Sequence, residues 1–303
     1  MSVTDFKKKY KFEHEGIEYL KLCYAVVLYW TGGIERQSAG LLRFFEAVWQ
    51  KIGLEAKMFQ TTNMKRPKKL NVEAKELVDA FLQKTEPTEA RHLRIDNRRH
   101  KDEAPDSGIE LVHVDYRGVG YAIARLAPEK IRADELLQIA RTGAEKIKFA
   151  HGHGGFALCY NDLGELASLA EPEFYALAMR HCGLDLPCAN NTSFVIGDGL
   201  KGVNWLTFVG KDLLQKSGKA SSFSPPASSR IVVHSLPHGL MFQAGPSPCI
   251  GDVNRKDFCE SYHAVGQILV DVRTHRHPAF VLGPEGVLAS EERTEEWLSR
   301  FDT

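Results

Sequence analysis

The chain lacks an excess of either charge. Its 303 residues include 39 lysines and arginines and 39 aspartates and glutamates, so the formal net charge is zero. A protein dedicated to DNA or RNA usually carries a clear excess of basic residues. We therefore expect a main partner that is not a nucleic acid.

Long hydrophobic runs are also missing. A helix that spans a membrane needs about 20 consecutive apolar residues, whereas the longest apolar stretch, residues 22–30, has only the length of a strand. The three lysines at positions 7–9 are not followed by an apolar core, so we expect no signal peptide. These absences predict a protein that does not contact a membrane.

Cysteine is sparse, and no two cysteines form a C-x-x-C pair. The six cysteines are scattered along the sequence: Cys23, Cys159, Cys182, Cys188, Cys249 and Cys259. In a chain of this length such spacing is typical of free thiols in a reducing compartment. We therefore predict a cytoplasmic protein without a metal or another cofactor.

No complete signature of a nucleotide-binding enzyme occurs in the sequence. The segment from Gly197 to Gly202 fits the G-x-G-x-x-G pattern of a dinucleotide-binding turn. The acidic residue that should follow about 20 positions later is missing, because no acid occurs between Asp212 and Asp252. We therefore interpret this segment as a turn that enters a helix.

Two histidines beside several glycines, His151 and His153, allow an alternative. A His-x-His pair on a strand can bind a metal, and such glycines are typical of the oxyanion-hole loops of esterases. The sequence has no H-E-x-x-H motif, and its nearest match to a G-x-S-x-G elbow, residues 245–249, lacks the final glycine. We favour a tight loop between a helix and a strand. The alternative is a metal- or nucleotide-dependent hydrolase that uses both histidines and the 197–202 turn.

The pattern of apolar residues predicts a mixture of helices and strands. Helices are expected at 35–52, 72–82, 133–147, 171–182, 203–216, 255–270 and 294–301. Strands are expected at 17–30, 109–116, 119–126, 155–160, 230–234 and 240–244. Because these elements do not alternate as βαβ units, we predict an α+β fold with a mixed, largely antiparallel sheet flanked by helices.

A faint internal similarity accompanies this pattern. The tripeptide Gly-Ile-Glu at 16–18 recurs at 108–110, and an amphipathic helix follows each copy. This indicates at most a weak strand–helix duplication. We place an N-terminal α/β subdomain at residues 1–106 and a second region at 107–303, and we expect the two to pack as one compact unit.

Two charged segments could contact a partner. Residues 91–101 hold five basic residues and one acidic residue, within a stretch (91–106) that predicts a surface loop or linker. A nucleic-acid-binding loop is the alternative there. The last helix carries acids that would attract a basic partner. The interface candidates are Arg98, Arg99, Glu291, Glu292, Glu295 and Glu296, although a solvated surface is the simpler explanation of both segments.

Two motif blocks in the second half of the chain are more specific. The first is Gly202-Val203-Asn204-Trp205-Leu206-Thr207, opening a predicted helix. The second combines Gly245-Pro246-x-Pro248 with Gly251-Asp252-Val253-Asn254. In this order the blocks resemble the type VI secretion immunity family, over roughly residues 108–283. The first hundred residues contain no motif that can be matched.

This resemblance implies an antidote that binds a cognate type VI effector toxin, blocks its toxic domain and is not itself an enzyme. We expect the toxin to be a nuclease that acts in the cytoplasm, where the antidote is predicted to lie. The residue types of the motifs suit a structural role, because Trp205 would bury a helix against a sheet while Asn204 and Asp252 would tie loops to the backbone. The motif residues are Gly202, Asn204, Trp205, Gly245, Pro246, Gly251, Asp252 and Asn254.

Overall fold

A single sheet joins strands from both halves of the sequence. The computed structural model describes residues 1–83, 90–186, 188–218, 230–280 and 287–302. In these residues eleven strands form one sheet, and the strands that pair within it are antiparallel. The strands are β1 (Phe12–His14), β2 (Ile17–Thr31), β3 (Met58–Thr61), β4 (Lys68–Lys69), β5 (Arg91–Asp96), β6 (Gly108–Val114), β7 (Val119–Leu126), β8 (Phe149–Tyr160), β9 (Leu206–Gly210), β10 (Ile231–Leu236) and β11 (Gly239–Ala244). The predicted α+β class with a largely antiparallel sheet is confirmed.

The order of strands places β2 near the middle of the sheet. The order is β10-β11-β9-β8-β2-β7-β6-β5-β3-β4, and β1 pairs with the start of β2. On one side Thr31 of β2 pairs with Val119 of β7, and on the other Leu20 pairs with Tyr160 of β8. The sheet therefore runs across the predicted boundary between residues 106 and 107.

Both faces of β2 are covered, which explains its continuous apolar sequence. Val26, Leu28 and Trp30 point into the main hydrophobic core. Val27 and Tyr29 belong to a smaller cluster on the opposite face, together with residues such as Tyr121. A strand that is buried on both faces reads as an unbroken hydrophobic run instead of an alternating one.

Helices cover the sheet. They are α1 (Val3–Lys9), α2 (Ser38–Ile52), α3 (Ala74–Gln83), α4 (Ala133–Lys146), α5 (Ala167–Ala170), α6 (Glu173–Arg180), α7 (Ala189–Ser193), α8 (Lys211–Lys216), α9 (Glu260–Leu269) and α10 (Val287–Leu298). α2 and α4 pack against each other and against the central strands, with α2 burying Leu41, Phe44 and Val48. α9 packs on β10 and β11, and α10 contacts α6.

The segment 203–216 corrects the predicted helix. Residues 201–204 have no regular secondary structure, Trp205 lies in a bend, β9 follows, and only α8 is helical. The sequence Leu206-Thr207-Phe208-Val209 is rich in aromatic and β-branched residues, which favour a strand. The 197–202 turn therefore leads into a strand and not into a helix, so it lacks the helix N-terminus that a dinucleotide site requires.

Two predicted loops are strands. Residues 151–155 lie inside β8, and residues 91–96 form β5, which pairs with β3 and β6. The glycines of the first segment and the charges of the second conceal these strands, because glycine and charged residues are depleted in strands on average. The helix predicted at 255–270 begins at Glu260, after a short 3-10 turn at Val253–Arg255.

The two copies of the internal similarity differ in structure. The first copy is the single strand β2 followed by α2, whereas the second is the hairpin of β6 and β7 followed by α4. Tyr24 is buried within β2, but Tyr116, at the equivalent position, is 75% exposed in the turn between β6 and β7. The common feature is thus a β-segment followed by a helix.

The lengths of the helices also determine whether any of them could cross a membrane. Among the described residues, no helix is both long and apolar enough to cross a bilayer.

Candidate functional site

The first motif block lies where the chain enters β9. Trp205 is fully buried, and the side-chain oxygen of Asn204 accepts a hydrogen bond of 2.7 Å from the Trp205 backbone N–H. Asn204 packs over Gly155 of β8, where a Cβ atom would lie only 2.1 Å from the asparagine Oδ1. The glycine-rich part of β8 therefore gives Asn204 room against the sheet. Gly202, at the start of the block, is half-buried.

The second block begins at the bend after β11 and meets the first. The indole Nε1 of Trp205 donates a 3.0 Å hydrogen bond to the carbonyl of Gly245. The backbone N–H of Ala244 donates to the carbonyl of Trp205 at 2.7 Å. Pro246 follows at the surface. Two blocks that lie about 40 positions apart in sequence thus form one buried contact.

The rest of the second block is braced by Asp252, which is fully buried. Its Oδ1 accepts a hydrogen bond of 3.2 Å from the backbone N–H of Asn254, whose residue is exposed. Both carboxylate oxygens also accept from the guanidinium of Arg180, at the end of α6, at 3.2 and 3.3 Å. Asp252 therefore fixes the loop before α9 to α6. Gly251, just before it, has a positive φ of +71° that suits glycine.

The acidic interface candidates lie along α10. Glu291, Glu292 and Glu296 are exposed. Glu295 is half-buried, and its Oε1 accepts a hydrogen bond of 2.9 Å from the buried Arg273. The four acids therefore differ, since Glu295 ties α10 to the preceding chain, Glu296 accepts a hydrogen bond from the Tyr175 hydroxyl of α6, and Glu291 and Glu292 are exposed. These acids belong to an acid-rich C-terminal segment, residues 285–303, of which residues 285, 286 and 303 lie outside the described part.

The basic candidates are separated by burial. Arg99 is exposed, whereas Arg98 is only 2% exposed and its guanidinium lies 2.8 Å from the carboxylate of Asp96. Arg91 and Arg94 are buried too, and their acidic partners come from later in the chain: Asp115 for Arg91, and Glu110 and Asp162 for Arg94, each at 3.0 Å. The count of five basic residues and one acidic residue was made within residues 91–101, so it did not include these acidic partners. The predicted exposed basic loop is therefore wrong for most of its arginines.

The two histidines of the hydrolase alternative are in the interior. His151 and His153 are 1% and 3% exposed, and the ring of His151 lies 4.6 Å from that of Tyr29. The Nε2 atom of His153 is 2.9 Å from Asp185, whose other oxygen accepts a 2.7 Å hydrogen bond from Lys201. Burial alone would raise the pKa of Asp185, but the charges of His153 and Lys201 outweigh it and lower that pKa.

This polar network borders a cavity of about 140 Å³. Glu110 also lines this cavity, and its carboxylate lies 3.0 Å from Arg94 and 2.9 Å from Arg125. The buried charges of the cavity are thus paired with one another. In the described residues, neither histidine belongs to a group of three or more metal-ligating side chains.

Sequence reasoning missed one cluster of chemically active groups. Cys182, Cys249 and Cys259, which were predicted to be scattered free thiols, come together near Asp257. Cys182 follows α6, Cys249 follows β11, and Cys259 precedes α9. The ten-residue spacing of the last two cysteines around Asp257 was the available signal, but nothing in the sequence indicates that Cys182 joins them.

Comparison with known families defines the class of protein. The sequence model of the TsiV family, described as type VI immunity for VRR-NUC, matches residues 129–301. This match covers more than half of the chain and includes both motif blocks, so the chain belongs to the TsiV family. It is an immunity protein that neutralises an effector, as the resemblance implied.

Solved structures agree on the fold. The Pseudomonas aeruginosa T6SS protein PA0821 superposes with a TM-score of 0.82 over 100% of this chain and 91% of that one, at 15% sequence identity. At such identity the likeness shows a common fold and nothing further. A complex of the toxic C-terminal tip of CdiA with its immune protein, also from Pseudomonas aeruginosa, matches 45% of this chain and 86% of that one at 14% identity; its TM-score of 0.25 is too low to support an argument. Among curated proteins, none matches the sequence.

Proposed function

We propose that this immunity protein inhibits a nuclease effector of the VRR-NUC kind by covering the cleft in which the nuclease binds DNA. The family match carries this proposal, because the family is described as immunity for such a nuclease. A cleft that binds DNA has to attract phosphates and is therefore basic. The surface that fills the cleft should in turn be acidic.

The exposed glutamates of α10 suit that surface. Glu292 and Glu296 lie one turn apart on the helix, so their carboxylates stand on the same side, and Glu291 lies beside Glu292. We call these three residues the α10 acidic face. Glu295 lies between Glu291 and Glu292 around the helix, and its ion pair with Arg273 holds this part of α10 in place. The face could therefore meet a basic cleft without rearrangement of the fold.

The proposed complex forms in the cytoplasm, where the nuclease would reach the DNA of the cell. Its interface should bury on the order of 1,600 Å² in total, which is the usual size for a specific complex. Inhibition arises from binding alone, and the immunity protein performs no chemical reaction on the toxin.

A titration of the nuclease tests the stoichiometry that this proposal requires. Increasing amounts of the immunity protein are added to a fixed, high concentration of its cognate nuclease, and cleavage of linear DNA is measured. We expect activity to fall linearly and to vanish at one equivalent. A nuclease of an unrelated family serves as the control and should keep full activity.

The same titration distinguishes a binding protein from the hydrolase alternative. An enzyme would inactivate many toxin molecules per chain, so inhibition would proceed with time at amounts far below one equivalent. Such a result, or a failure to bind the nuclease at all, would contradict the proposal.

A further inference from the structure

Three sulfur atoms and one carboxylate converge at the end of the second motif block. The ligand atoms of Cys249, Asp257 and Cys259 all lie within 4.8 Å of one another. The sulfur of Cys249 is 3.6 Å from Oδ1 of Asp257. Cys259 is buried, whereas Cys249 and Asp257 are half-buried, so the group lies just beneath the surface. An ion from solvent could reach it without unfolding of the core.

Cys182 brings a third sulfur next to that of Cys259, from the end of α6. A Cβ atom on Gly251 would lie 2.9 Å from the sulfur of Cys182 and 3.0 Å from the sulfur of Cys259. The two sulfurs therefore flank one small space that only a glycine leaves open. Cys182 is 6% exposed, and its sulfur also lies 3.9 Å from the carbonyl of Asp257.

The backbone has an uncommon conformation in the loop between Asp252 and Cys259, which carries two of these side chains. Cys259 has φ +54° and ψ +56°, which places a non-glycine residue in the left-handed region. Lys256 is also left-handed, with φ +60°. Asp252 and Asp257 exchange two backbone hydrogen bonds, of 3.0 and 3.2 Å, that close the loop. Strained residues persist where the surrounding structure enforces them, and they concentrate at functional and ligand-binding sites.

The chemistry of the donors selects the ligand. Thiolates are soft ligands that favour zinc, and zinc in structural sites takes four ligands from Cys, His and occasionally Asp in a tetrahedron. We propose that this cluster binds one zinc ion through Cys249, Cys259 and Asp257, with Cys182 as the fourth ligand. Such an ion would link the end of α6, the loop after β11 and the start of α9. The sequence predicts a protein without a metal, and a bound zinc ion would contradict that prediction.

Metal analysis of the full-length protein tests the proposal. The protein is purified under reducing conditions, stripped with a chelator, incubated with zinc and passed through a desalting column, and its zinc is measured by mass spectrometry. We expect one zinc per chain. Cobalt in place of zinc should produce thiolate-to-cobalt charge-transfer absorption and the visible bands of tetrahedral coordination.

Variants assign the ligands. Cys259→Ser should abolish zinc retention, and Asp257→Asn, which preserves the shape of the side chain, should weaken zinc binding at least about tenfold. The matched control is Cys159→Ser, because Cys159 is a buried cysteine of β8 outside the cluster whose hydrogen bond to the Lys21 carbonyl a serine can keep. This control should retain one zinc.

Two results would overturn the proposal. The first is a folded wild-type protein that, with its cysteines reduced, retains no zinc and gives no tetrahedral cobalt spectrum. The second is zinc binding that is equally tight in wild type and Asp257→Asn, which would remove Asp257 from the ligand set. If Cys259→Ser does not fold, Asp257→Asn still tests the assignment of the ligands.

Discussion

At the scale of single residues, Trp205 shows how a family motif can serve the scaffold. Its ring is fully buried and its indole N–H reaches the carbonyl of Gly245, so it joins both motif blocks. It lies in a bend directly before β9, and not in the helix that the sequence predicted. The residue type indicated burial correctly, while the partner across the fold could not be identified from the sequence.

Trp205→Ala should therefore destabilise the protein by about 3–5 kcal/mol, because it leaves a large cavity. Trp205→Phe is the matched control, since it fills much of the space and loses mainly the hydrogen bond, at about 1 kcal/mol. Urea unfolding measures both values. The affinity of the folded fraction for the effector should stay constant, and a Trp205→Ala protein as stable as wild type would refute the structural role.

His151 makes stability depend on pH. Burial lowers the pKa of His151 to about 3, and the neighbouring charge of His153 contributes in the same direction. A histidine in an unfolded chain titrates near pH 6.5. The unfolded state therefore takes up the proton first, so stability is complete above about pH 6.5 and is lost as the pH falls toward the folded pKa.

His151→Phe should reduce this acid sensitivity, because the ring remains but cannot be protonated. Between pH 6.5 and 5, the unfolding free energy of the variant should fall less steeply than that of wild type, by at most about 1.4 kcal/mol per pH unit. Urea titrations at several pH values measure the two slopes. His14→Gln, at an exposed position, controls for the loss of a histidine. Equal slopes in wild type and His151→Phe would contradict the prediction.

At the scale of elements, α10 combines support and recognition. Glu295 is engaged with Arg273 and Glu296 with the Tyr175 hydroxyl, yet all three residues of the α10 acidic face are exposed. The side of α10 that stabilises the fold carries buried residues such as Trp297 and Leu298, and the exposed glutamates could attract a basic toxin. Burial, which separates these roles, is set by the packing of α10 against α6 and the preceding chain.

Neutralising the α10 acidic face should slow association with the nuclease. We expect the variant Glu291→Gln, Glu292→Gln and Glu296→Gln to bind about tenfold more slowly at low salt, with a smaller difference at high salt, because steering by exposed charges is screened. The control removes three exposed acids from α2, α3 and α4: Glu46, Glu76 and Glu145. Association rates are measured by stopped flow with a catalytically inactive nuclease. Equal rates for the two triple variants would rule out α10 as the steering surface.

At the scale of the whole molecule, the position of β2 determines how the chain holds together. This strand from the first 31 residues lies between β7 and β8, and it supplies backbone hydrogen-bond partners to both. The division between residues 106 and 107 stays a proposal. We expect the regions 1–106 and 107–303 to depend on each other for stability.

A fragment of residues 107–303 should thus fail to fold on its own, because β7 and β8 would each expose an unpaired edge next to a truncated core. Circular dichroism and hydrogen exchange of the fragment measure this, with the full-length chain as the reference. The full chain should lose its helical signal and its tryptophan fluorescence in one coincident transition. A stable, native-like fragment would show that the regions fold separately.

Several elements could be predicted from the sequence because their signals are local. The periodic apolar faces of α2 and α4 and the hydrophobic run of β2 specify these elements within a short window of sequence. The hairpin of β10 and β11 likewise has its turn between two apolar segments. β5 was missed since its arginines look solvent-exposed until the carboxylates of residues 110, 115 and 162 are placed beside them.

By itself the sequence determined the α+β class, the family and the burial of Trp205, because residue type, periodicity and motif order carry this information. The tertiary structure alone decided which distant residues meet: Trp205 with Gly245, Asp252 with Arg180, and Cys259 with Cys182 and Cys249. The physical reason is that burial, ion pairing and metal-ligand geometry depend on distances in space, and antiparallel pairing brings together residues whose separation along the chain has no fixed relation to those distances.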